Sequence, residues 1–93
     1  MYLADEIKAV AGMILRKLYD LSLNNTLIYY RIDTLFVKLN NEAPRYIQRS
    51  LFDSGLSYAV GRKWIEYSPT ANEVRITPDG SNEVLNRTHI QET

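Results

Sequence analysis

Leu56-Ser57-Tyr58-Ala59-Val60-Gly61-Arg62-Lys63-Trp64-Ile65-Glu66-Tyr67 changes its hydrophobic period halfway along. Before Gly61, the apolar residues Phe52, Leu56, Ala59 and Val60 line one side of a helix. After Lys63 the period is two, and Ile65 and Tyr67 share one face of a strand over 64–68. Downstream, Glu73-Val74-Arg75-Ile76-Thr77 alternates in the same way, so Val74 and Ile76 face Ile65 and Tyr67. Between the two strands, Pro69-Thr70-Ala71-Asn72 has the length of a hairpin turn. Thr77-Pro78-Asp79 then supplies an N-cap hydroxyl, a proline for the first helical position and a carboxylate for the helix start. A last helix is expected over 78–87, with 88–93 as a tail.

Upstream, proline is welcome in a first helical turn, so Ala43-Pro44 predicts the start of the helix that ends near Gly61. Gly55 inside it marks a kink or a close packing contact, and Ile47 and Leu51 fall on a different side from the buried face. Ile32, Leu35, Phe36 and Leu39 sit at i, i+3, i+4 and i+7, which predicts a second helix over 30–39, stopped by Asn40-Asn41. Ile7, Val10, Ala11, Ile14, Leu18 and Leu21 form the stripe of a first helix over 5–21. Met13 and Leu15 fall off that stripe and mark either a second contact surface or scattered exposure. Leu27-Ile28-Tyr29 follows a polar break over 22–26 and predicts a short strand.

At 93 residues the chain holds one core and one domain. Its apolar share of 45% and charged share of 24% are those of a soluble globular protein. The absence of cysteine excludes disulfides, thiolate catalysis and Cys-based zinc sites. No apolar run is long enough to span a bilayer, and the acidic start, Tyr2-Leu3-Ala4-Asp5-Glu6, lacks the order of a signal peptide. The expectation is a cytoplasmic protein. A formal net charge of zero argues against non-specific coating of DNA. The charge is unevenly spread: residues 31–75 carry a surplus of two positive charges and residues 76–93 a deficit of two.

The order helix, strand, helix, turn, helix, strand, turn, strand, helix resembles the winged helix-turn-helix family of DNA-binding domains. Two segments carry the resemblance. Leu56 to Tyr67 is similar to the family's recognition-helix ending, basic turn and wing-opening aromatic. Val74-Arg75-Ile76-Thr77-Pro78-Asp79-Gly80 resembles the segment that closes the wing. One departure is that Arg62-Lys63 stands where the family often has a glycine. The resemblance implies an α+β fold: a three-helix core, a two-stranded β-hairpin wing and a C-terminal helix. It also implies a sequence-specific regulator that places its third helix in the major groove of double-stranded DNA and its wing on the backbone.

On that reading the candidate DNA-binding residues are Arg31, Arg45, Tyr46, Arg49, Ser50, Arg62, Lys63, Asn72 and Arg75. Arginine pairs with guanine or grips phosphate, and Tyr and Ser hydroxyls bond phosphates. Asp53 on the same face either accepts from cytosine or pairs with Arg49. Arg75 either contacts backbone or pairs across the hairpin with Glu66. A homodimer is expected through the terminal helices, using Tyr2, Leu3, Met13, Leu15, Val84 and Leu85. The alternative is a protein–protein interaction module of the same fold, favoured by the zero net charge and Asp53. No catalytic constellation, metal site or cofactor motif is expected, and His89 stands alone in the tail.

Overall fold

The computed structural model describes the backbone of every residue except Met1, Asn24, Ala71 and Thr93, and the side chains as far as Arg87. Asn24 of the polar break, Ala71 of the hairpin turn and the side chain of His89 therefore lie outside the described residues. The chain runs α1 (Ala4–Ser22), β1 (Tyr30–Arg31), α2 (Ile32–Glu42), α3 (Arg49–Gly61), β2 (Ile65–Tyr67), β3 (Glu73–Ile76) and α4 (Pro78–Glu92). The fold class is α+β, with helices packed against one antiparallel sheet in the order β1-β3-β2.

The hairpin register sets Ile65 opposite Ile76, Glu66 opposite Arg75 and Tyr67 opposite Val74. Alternation turns Ile65, Val74 and Ile76 into the core. Strand β1 pairs with the far side of β3, Tyr30 opposite Val74 and Arg31 opposite Glu73. It forms later in the chain than the β-prone run Leu27-Ile28-Tyr29. The Asn25 side chain accepts the Leu27 N–H at 3.0 Å and draws this stretch into a turn, leaving Leu27 and Ile28 exposed.

Helix α1 lies at the centre. Val10, Ala11, Ile14, Leu15 and Leu18 are all buried, and Phe52, Leu56 and Ala59 of α3 join them in the core. Leu15, off the predicted stripe, is fully buried because α1 is covered on two flanks, by α3 and by the start of α4. Val84 is likewise in the core. Leu15 and Val84 are thus withdrawn from the expected dimer surface, and Met13 is half-buried against the core; Leu3 and Leu85 remain exposed. Gly55 is a packing contact: a Cβ there would stand 2.9 Å from Val10 Cγ1 and 3.1 Å from the Ala11 backbone nitrogen.

Helix α3 begins at Arg49, beyond the predicted start at Ala43-Pro44. Asn40 is the reason. Its Oδ1 accepts the Ile47 N–H at 2.6 Å and its Nδ2 donates to the Ile47 carbonyl at 3.2 Å. These bonds hold residue 47 out of a helix while its side chain enters the core. The same asparagine does not stop α2, which runs on to Glu42.

The turn after α3 is a Schellman closure. Trp64 N–H donates to the Ala59 carbonyl at 3.1 Å and Lys63 N–H to the Val60 carbonyl at 2.9 Å. Lys63 occupies the left-handed position, at φ 66°, where glycine is usual. Thr77 then bolts α4 to this turn. Its N–H donates to the Trp64 carbonyl at 3.0 Å, its hydroxyl to the Lys63 carbonyl at 2.6 Å, and its Oγ1 caps the Gly80 N–H at 3.0 Å. Helix α4 continues through the predicted tail to Glu92; no glycine or proline follows Gly80 to end it sooner.

Candidate nucleic-acid interface

The exposed side of α3 is formed by Arg49, Ser50, Asp53, Ser57 and Gly61, with Ser54 half-buried beside them. It is a face of small polar groups with one arginine and one carboxylate. The arginine is not free. Arg49 Nε donates to Asp53 Oδ1 at 3.0 Å, and Nη1 donates to Asp33 Oδ1 of α2 at 3.0 Å. Its guanidinium lies over the Phe36 and Phe52 rings, at 5.3 and 5.7 Å from their centroids. The side-chain bonds to Asp53, then Asp33, raise its pKa above the ordinary arginine value. Of the two roles expected for Asp53, pairing with Arg49 is the one seen.

Because α3 starts at Arg49, Arg45 and Tyr46 belong to the connection before it and not to its first turn. Arg45 is exposed and has no ion pair among the described residues. Tyr46 is 73% exposed, with its ring edge-on to Phe36 at 6.2 Å. Ser50 sits on the first turn of α3, where its hydroxyl meets that of Tyr2. The Tyr2 hydroxyl also donates to Gln48 Oε1 at 2.8 Å.

Arg31 ends β1, precedes α2 and is exposed without an ion pair among the described residues. Asn72 is its neighbour, since the Asn72 carbonyl accepts the Ile32 N–H at 3.0 Å. An open groove along α2, lined by Arg31, Asp33, Thr34, Val37, Lys38 and Asn41, continues from there. Arg62 and Lys63 stand at the opposite end of α3, with the Arg62 guanidinium 5.4 Å from the Trp64 ring centroid. Arg75 is half-buried on the outer sheet face. It bonds Glu66 at 3.1 Å and lies over Tyr29 at 5.0 Å. Of its two expected roles, the cross-hairpin pair is the one formed.

The fold thus gathers Asn72, Arg31, Arg49, Ser50, Arg45 and Tyr46 into a band from the hairpin to the start of α3. Arg62 and Lys63 stand apart from it at the far end of α3, and Arg75 is withdrawn by its partner. Sequence reasoning missed Tyr2 and Gln48 as members and Asn40 as their support. Nothing near Tyr2 in the chain announces a contact 46 residues away. Among the described residues no group of three His, Cys, Asp or Glu is placed to hold a metal ion, and no helix is long and apolar enough to cross a membrane. No protein-family model, curated protein or solved structure matches the chain.

Proposed function

We propose that the chain is a winged helix-turn-helix domain that binds double-stranded DNA as a transcriptional regulator. Helix α3 enters the major groove and the hairpin meets the backbone. The element order, with β1 joined to the second strand of the hairpin, supports the fold half of this reading. The binding half rests on one observation, the state of charge along the band. Two carboxylates near it, Asp33 and Asp53, are engaged by Arg49, and Glu73 stands opposite Arg31 in the β1–β3 ladder, while Arg31, Arg45, Arg62 and Lys63 have no ion pair among the described residues. The face between these cations is lined by serines, whose small side chains let a helix approach base edges.

Titration of a labelled random duplex, followed by fluorescence anisotropy at several salt concentrations, tests the reading. Affinity should fall with salt, with a log–log slope of about 0.9 for each phosphate contacted. Arg31→Glu and Arg45→Glu should each weaken binding at low salt, with the far-UV circular dichroism unchanged. Duplex binding that is absent or indifferent to salt refutes the proposal. Arg49→Ala is a poor probe, because it releases two carboxylates onto the face and so weakens binding even if Arg49 never touches DNA.

A second reading, docking of a protein partner on the same face, is favoured by the exposed Val37 and Tyr46 beside a cluster of one cation and two carboxylates. The same titration separates the two, since a protein-docking face leaves the duplex free.

A further inference from the structure

The Tyr2 hydroxyl touches two groups at the start of α3, and a phenol has one proton to give. That proton goes to Gln48 Oε1, 2.8 Å away. The contact between Tyr2 and Ser50 must then be donated by Ser50. The bonds run in one direction, from Ser50 to Tyr2 to Gln48. Direction fixes what each group has left. Gln48 has committed an oxygen lone pair and keeps both Nε2 protons. Ser50 has given its proton and keeps only acceptor lone pairs. Gln48 has no side-chain bond to the α3 backbone, so Tyr2 alone among the described residues orients its amide.

We propose that Tyr2 is a specificity-determining, positioning residue: its hydroxyl sets Gln48 as a donor and Ser50 as an acceptor in the turn that reads the groove. The inference rests on the DNA-binding reading above and deepens it. Two Nε2 protons match the paired acceptors of guanine, O6 and N7, better than the acceptor–donor pair that adenine presents. Removing the Tyr2 hydroxyl frees the amide to turn over and accept from adenine. On this reading Tyr2 belongs to the reader.

Selection of bound duplexes from a random pool, followed by affinities for the selected site and its guanine-to-adenine variants, tests this. The wild type should prefer guanine at one position. Tyr2→Phe keeps the ring and should lower that guanine-over-adenine ratio by about threefold to tenfold, the scale of one hydrogen bond. In a Gln48→Ala background, Tyr2→Phe should change the ratio no further. A structural effect of Tyr2 on the fold would persist in that background, and its persistence overturns the proposal. An unchanged ratio in Tyr2→Phe also overturns it while leaving DNA binding intact. Failure of the wild type to bind any duplex removes both readings together.

Discussion

Alanine at Gly80 and alanine at Gly61 are the same substitution in two helices, and the structure gives them opposite signs. Gly80 is buried in the first turn of α4. A Cβ there would overlap the Trp64 carbonyl oxygen and stand 3.0 Å from both Ile76 Cγ1 and Leu15 Cδ1. The carbonyl cannot withdraw cheaply, because it accepts the Thr77 N–H that bolts α4 to the turn. Overpacking costs about 1–3 kcal/mol and the strained hydrogen bond about 1 kcal/mol more, offset by roughly 1 kcal/mol from the better helix propensity of alanine. The net loss is about 1–3 kcal/mol, a large part of the roughly 5–14 kcal/mol expected for a chain of this size. Gly61 is exposed, and a Cβ there meets nothing within 4 Å. Alanine at that position should gain about 0.5–1 kcal/mol. Thermal melts followed by circular dichroism read both, at about 4–8 °C per kcal/mol for a domain this small. Gly80→Ala should melt at least about 4 °C below the wild type and Gly61→Ala a few degrees above it. A Gly80→Ala protein that melts at or above the wild type would refute the close approach of α4 to the Trp64 carbonyl.

Asn40→Ala should cost about 2 kcal/mol, since it strands both backbone groups of Ile47; Asn40→Asp, which keeps the acceptor, should lose less. Urea denaturation midpoints measure both, and equal losses would remove the acceptor half of the clamp. Thr77→Val deletes the Gly80 cap and the bond to the Lys63 carbonyl at nearly constant volume, at about 1–2 kcal/mol, whereas Thr77→Ser should stay near the wild type. Lys63→Gly relieves a left-handed lysine and should raise the melting temperature by a few degrees, after the larger unfolded-state entropy of glycine is subtracted. If Lys63 also meets phosphate, the same variant should lower the salt slope of duplex binding by about 0.9.

The parts of the fold that could be read from the sequence are those whose causes are local. The hairpin register follows from the alternation at Ile65, Tyr67, Val74 and Ile76, and the α4 start from Thr77-Pro78-Asp79. The start of α3 is misplaced from sequence because a local signal disagrees with one from the preceding helix. Pro44 favours a first turn, but the side chain of Asn40, in the preceding helix, takes the Ile47 backbone groups that such a turn needs. Leu15 sits off the stripe because a single-stripe reading gives a helix one neighbour, and α1 packs against α2, α3, α4 and β3. At the site, the Arg49–Asp53 pair lies within one helix at i, i+4 and was legible. The Arg49–Asp33 bond joins two helices, and the Tyr2 contacts join the N-terminal segment to the start of α3 across the whole of α1 and α2; neither has any signature in local spacing.

The approach of Gly80 to the Trp64 carbonyl also bears on ancestry. Most positions of a small domain drift freely as long as volume and polarity are roughly kept. Position 80 is different, because the obstacle is backbone and backbone is common to every residue type. A descendant that keeps this junction unstrained keeps glycine there, together with a residue at 77 that can both cap and reach the Lys63 carbonyl. Substitution at position 80 is therefore penalised whatever the new side chain, whereas the core positions around it tolerate any swap that keeps volume.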